Sequence, residues 1–83
     1  MLKILYFASV RETLGAAGEE LDLPAGVTDV AGLIAFLAGR GGAWESLATA
    51  RNLRYAVNQQ VVTRAAPIRA GDEVAFFPPV TGG

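Results

Sequence analysis

The pair Pro78-Pro79 fixes where the last regular element of this chain must stop. Proline has no backbone N–H and holds φ near about −65°, so neither residue extends a central strand. Phe77 is then the last residue of the run Glu73-Val74-Ala75-Phe76-Phe77, whose apolar and aromatic side chains suit a strand. Beyond the prolines the chain continues as Val80-Thr81-Gly82-Gly83. Stiff extended backbone followed by residues without a Cβ is as slim as a peptide can be. From Pro78 to Gly83 such a segment reaches at most roughly 20 Å. The expected organisation is a folded body over 1–77 and an extended, flexible tail over 78–83, shaped to enter a slot on another protein. Glycine-rich chain ends without any function are also common, and the doublet alone does not separate the two.

Composition narrows the chemistry of the body. At 83 residues the chain is one domain, and 52% hydrophobic against 18% charged residues gives it a core to bury. A net charge of −1, with basic residues scattered from Lys3 to Arg69, leaves no footprint for nucleic acid. There is no cysteine, which excludes a disulfide scaffold and a side-chain thiol carrier. There is no histidine either, which argues against a zinc site or a His-based triad, so no metal ligands are assigned. No run approaches the roughly 20 apolar residues of a membrane span, so no membrane partner is expected. A cysteine-free chain without a leader pattern fits a cytoplasmic protein.

In chain order, Leu2 to Ala8 reads as a strand, apolar on both faces apart from Lys3, and therefore central in a sheet. Ser9 and Glu12 form a capping-box pattern opening a short helix, which Gly15 closes. Glu19 to Leu23 alternates in period two, as a half-exposed strand does. Thr28 is placed as the cap of the main helix, with Asp29 in its first turn. Val30, Leu33, Ile34 and Leu37 form its apolar stripe, widened by Phe36 and Ala38. Gly39-Arg40-Gly41-Gly42 ends it; following a helix and lacking a Lys-Ser/Thr, this is no phosphate loop. A helical turn over Ala43 to Ala50 puts Trp44 and Leu47 inward. Arg54 to Asn58 and Gln60 to Thr63 make a hairpin around Asn58-Gln59, and Gly71 serves the turn before the last strand. Helices segregated against a mixed sheet give an α+β chain. A helix held in the curve of a sheet, with the first and last strands parallel at its centre, is a β-grasp architecture.

Phe7-Ala8 with Arg11-Glu12, then Val57-Asn58-Gln59, then the run Gly71-Asp72-Glu73-Val74-Ala75-Phe76-Phe77-Pro78-Pro79-Val80-Thr81-Gly82-Gly83, resembles the small, sulfur-carrying subunit of molybdopterin synthase, within the ubiquitin-like β-grasp superfamily. The resemblance covers nearly the whole chain. It implies that the Gly83 carboxylate is adenylated by a ubiquitin-activating-like adenylyltransferase, using ATP in trans, and converted to a thiocarboxylate. The tail, Phe77 to Gly82, then enters the large synthase subunit, where sulfur passes to cyclic pyranopterin monophosphate in a heterotetramer. Gly83 is thus the reacting position, and no cofactor is bound by the chain itself. In enzyme terms the chain is the sulfur-donating, non-catalytic subunit of a sulfurtransferase.

The residues agree with that scheme. An α-carboxyl group ionises near roughly pH 3.3–3.7, and a carboxylate is a poor electrophile until activated. The chain has no nucleotide-binding loop, so activation comes from elsewhere. Thr81 is the one polar side chain of the tail, and nothing beside it in sequence activates it as a nucleophile. Of Phe76 and Phe77, one is expected in the core and one at an interface. A thiamin-pathway sulfur carrier and a ubiquitin-like modifier share the terminal diglycine and stand as alternatives, as does a plain interaction domain with an inert tail.

Overall fold

The computed structural model describes residues 1–79. The order of elements is β1 (Leu2–Tyr6), α1 (Ala8–Leu14), β2 (Gly18–Leu21), α2 (Val30–Ala38), a 3-10 turn (Gly42–Glu45) running into α3 (Ser46–Thr49), β3 (Arg54–Val57), β4 (Gln60–Val62) and β5 (Glu73–Phe77). The five strands form one sheet in the order β2-β1-β5-β3-β4. β1 and β5 are parallel neighbours, with Ile4 opposite Val74 and Tyr6 opposite Phe76. β2 and β4 are antiparallel hairpin partners of β1 and β3 and form the two edges. This is the expected β-grasp: the last strand occupies the middle of the sheet.

One face of the sheet is covered. Leu2, Ile4 and Tyr6 of β1, Val74 and Phe76 of β5 and Tyr55 of β3 are buried in one cluster with Val30, Leu33, Ile34 and Leu37 of α2. Leu47 and Ile68 close the cluster, and Trp44 packs against it from the 3-10 turn. Every buried side-chain polar atom among the described residues has a partner. The expectation that β1 is apolar-buried on both faces is corrected: Lys3 is exposed and Leu5 only half-buried, because helices cover one side alone. Phe36 is likewise not part of the buried stripe; it stands 45% exposed, rotated off the line of Leu33 and Leu37.

Two caps lie elsewhere than the sequence pattern suggested. α1 starts at Ala8, not after Ser9, and Ser9 makes no capping bond. β1 ends at Tyr6, and the Phe7 carbonyl accepts from the N–H groups of Val10 and Arg11, so the first helical turn is already committed upstream of Ser9. The junction puts Ala8 at φ 51°, a left-handed conformation costing roughly 1 kcal/mol in an L-residue. α2 is capped by Asp29, whose carboxylate accepts from Gly32 N at 2.7 Å, and not by Thr28. Thr28 instead gives its carbonyl to Ile68 N. Val30 N and Ala31 N donate to the carbonyls of Ala66 and Arg64, so the loop 63–68 satisfies the free end of the helix. β2 is one residue earlier at its start and two shorter at its end than the alternation suggested. Gly15 ends α1 at φ 71° with its N–H on Arg11 O, and Gly71 turns at φ 96°, both as expected.

Candidate functional site

The site is the end of the sheet where β5 runs out. Phe76 is fully buried, stacked on Tyr6 at 6.0 Å and edge-on to Tyr55 at 5.9 Å between ring centroids. The main chain is held on both sides to this point. Phe7 N donates to Phe76 O at 3.1 Å, and Arg54 is the register partner of Phe77. Pro78 and Pro79 then follow outside the strand, half-buried. β5 ends at Phe77. Val80, Thr81, Gly82 and Gly83, the reacting position included, lie outside the described residues. Phe76 is the core phenylalanine and Phe77 the half-buried one, on the opposite face of the sheet.

That opposite face carries a surface the sequence reading named only through Phe77. Strand register aligns Leu5, Ala75, Ala56 and Val61 in one row across four strands. None of the four belongs to the buried cluster under the helices, although the small side chains of Ala56 and Ala75 are themselves buried between their neighbours. Val61 is 73% exposed. The next row toward the tail holds Phe7, 45% exposed, beside Phe77 and Arg54. The row toward the other end is polar: Glu20, Lys3 and Glu73. The open face is thus apolar next to the tail and charged away from it. The alternation Tyr6-Phe7 and Ala75-Phe76-Phe77 was the available signal, but an apolar run does not say which face is covered.

Beside Pro78 a groove of ≈ 270 Å³ opens between α1 and the segment after α3, walled by Val10, Ala50, Arg51 and Leu53. Among the described residues its lining includes no carboxylate and no paired acid and base. Among the described residues no cluster of three or more acidic, histidine or cysteine side chains is placed to hold a metal ion.

The electrostatically perturbed groups are elsewhere. Glu19 of β2 accepts two bonds from the Arg40 guanidinium, both at 2.8 Å, and one from the Tyr6 hydroxyl at 2.9 Å. The Arg40 bonds pull the Glu19 carboxyl below its ordinary range. Burial first, and then the bond to Glu19, push the Tyr6 phenol upward, so it stays a donor. Arg40 also lies 4.4 Å from the Trp44 ring centre. This network ties β1, β2, the end of α2 and the 3-10 turn together on the helix side. Trp44 is therefore a packing residue, as expected. Asn58 and Asp72 form a second local set: Asn58 Nδ2 donates to Asp72 Oδ1 at 3.0 Å, which with the Arg69 N–H holds the Asp72 carboxyl low.

The chain matches known proteins along its full length. The sequence matches the ThiS family over residues 4–83. It is 42% identical to the molybdopterin synthase sulfur carrier subunit of Escherichia coli (strain K12), with the whole of both chains aligned. It is 35% identical to the subunit of the same name from Haemophilus influenzae, again over the whole of both. Its fold is similar to the crystal structure of SAMP1 from Haloferax volcanii, at a TM-score of 0.78 and 27% identity over 99% of this chain and 98% of the other. The chain belongs to the ThiS family, and within it resembles along its whole length the members named as molybdopterin synthase sulfur carrier subunits.

Proposed function

We propose that this chain is the sulfur-carrier subunit of a molybdopterin synthase, with Gly83 as the atom-bearing end. The observation that supports this most is the way β5 is clamped at mid-sheet up to Phe77 and then released by two prolines. A rigid base with a narrow exit presents an acyl group at a fixed place while the body stays out of the partner's active site. The Gly83 carboxylate attacks the α-phosphorus of ATP on the activating enzyme, pyrophosphate leaves, and an acyl adenylate forms. A sulfur nucleophile then displaces AMP, leaving a thiocarboxylate. In the large subunit that sulfur bonds to cyclic pyranopterin monophosphate, water cleaves the acyl carbon–sulfur bond, and the Gly83 carboxylate returns.

The body contributes docking, not catalysis. The apolar row of Leu5, Ala75, Ala56 and Val61, with Phe7 and Phe77, lies next to the tail, so a partner that covers it also receives the tail. The names of the curated relatives support such a partner, since each is called a subunit of a synthase. A cytoplasmic, heterotetrameric assembly goes with the same reading.

Intact mass spectrometry after incubation with ATP, the adenylyltransferase and a sulfur donor tests it. The expected change is oxygen replaced by sulfur at Gly83, and loss of that change when Gly82 or Gly83 carries a bulky side chain while the circular dichroism spectrum is kept. No sulfur gain under conditions that charge the Escherichia coli relative would sink the proposal.

A further inference from the structure

The side chains of this chain offer a single amine and neither a thiol nor an imidazole. It has no cysteine and no histidine, and lysine occurs once, as Lys3, against six arginines. Two of the arginines stand close to the end of β5: Arg51 walls the groove beside Pro78, and Arg54 is the register partner of Phe77. A guanidinium stays charged at neutral pH and has no lone pair to offer, whereas a lysine that loses its proton is an acyl acceptor. On the reading above, Gly83 spends part of its cycle as an acyl adenylate. An amine that reached it would attack the carbonyl carbon, form the C–N bond, and expel AMP with the C–O electron pair, the nitrogen's proton going to solvent. The result is an amide that no longer carries sulfur.

Effective concentration makes the nearest amine the most dangerous one. The four residues beyond Pro79 span at most roughly 14 Å, enough to fold back on the sheet's end. Lys3 pairs with Glu73, four rows from Phe77, roughly 13 Å along the strands before the added length of Pro78 and Pro79. Lys3 also sits on the open face between Glu20 and Glu73, in the row adjoining Leu5. A partner seated on that apolar face covers it as well.

We propose that this amine-poor surface, with arginine and not lysine at 51 and 54, is an acceptor-specificity device: the chain's amines, Lys3 and the Met1 amino group, both lie toward the far end of the sheet, so an activated Gly83 has no amine of its own chain beside the exit and the acyl group survives until a sulfur nucleophile arrives. The inference rests on the adenylation reading. The test incubates the full chain with ATP and its adenylyltransferase, without a sulfur donor. Pyrophosphate release reports activation, and intact mass with peptide mapping reports amide formation. Wild type is expected to hold its adenylate with little amide. Arg51→Lys and Arg54→Lys, normalised to their own pyrophosphate release, are expected to form at least tenfold more internal amide, mapped to the new lysine. Any trace of joined dimer in wild type is expected to map to Lys3 or the Met1 amino group, with the Lys3 share gone in Lys3→Arg. If both new-lysine variants keep their adenylates as long as wild type, or if wild type forms as much amide as they do, the arginines protect nothing and the inference is wrong. If wild type releases no pyrophosphate while the Escherichia coli relative does, the adenylation reading falls, and this inference falls with it.

Discussion

At the scale of single residues, the interaction most open to titration is Glu19 with Arg40. Both side chains are partly exposed, at 25% and 33%, so solvent screening keeps the pair to about 1 kcal/mol. Glu19 is held below its ordinary value near 4.5, first by the Arg40 bonds. Its folded pKa is therefore lower than its unfolded one. The stability it contributes is fully present above about pH 4.5 and is lost as pH falls through the lower folded value. Glu19→Gln is expected to lower stability by about 1 kcal/mol at pH 7 and to narrow the gap to wild type as the pH drops below that point. Asp72 also titrates low, but it is shared by both proteins and cancels in the difference. Thermal melts of the two proteins from pH 7 to pH 3 measure this. Trp44 is the chain's single tryptophan, so its emission reports whether Arg40 has left the ring. Nothing in the local sequence announced this network. Glu19, Arg40 and Tyr6 come from separate elements, and only packing brings them together.

Among the elements, the β3–β4 hairpin shows how much local chemistry can say. Asn58-Gln59 was legible as a turn, and both residues take positive φ, at 50° and 69°. Two left-handed residues in succession make the type I′ geometry that matches strand twist. What the sequence did not show is that Asn58 Oδ1 also accepts from Glu73 N at 3.0 Å, tying the turn to the start of β5. Gln59 has no comparable bond and bears the left-handed cost with a Cβ. Gln59→Gly is expected to raise stability by about 0.5–1 kcal/mol in urea unfolding. Asn58→Ala is expected to lower it by about 2 kcal/mol, through the strained φ and two lost bonds. At α2 the apolar period located the helix, while its cap slipped by one residue. Asp29→Ala is expected to cost about 1 kcal/mol and Thr28→Ala much less, because only the Asp29 carboxylate reaches Gly32 N. Thr28 and Asp29 are both good cap residues, so propensity could not choose between them. The choice is made by the bridge of Asp29 to Pro67, which sets the backbone direction entering the helix.

For the molecule as a whole, the parallel central pair was legible because β1 and β5 are the most apolar segments, and the proline stop placed the exit. The identity of the open face was not, since Leu5, Phe7 and Phe77 have the composition of core residues. That face makes the whole-molecule prediction. Val61 is 73% exposed on edge strand β4, two strands from β5, and does not line the groove beside Pro78. If the body docks by its open face, Val61→Asp buries an unpaired carboxylate in the contact and is expected to weaken association with the large subunit by tenfold or more, about 1.4 kcal/mol or above. If the tail alone carries recognition, the same change leaves association untouched. Folding separates the two cases from trivial damage. A polar side chain at so exposed a position should shift stability by no more than about 0.5 kcal/mol, and charging by the adenylyltransferase provides a second check of integrity. Phe7→Ser serves as the companion on the tail side of the same face. The Phe7 backbone bond to Phe76 O does not depend on the side chain, so the strand end stays clamped while the apolar contact is lost. Titration calorimetry of both variants against the large subunit, with loss of affinity in each and no change in the unfolding midpoint, is the expected result. Full affinity in both would confine recognition to the tail.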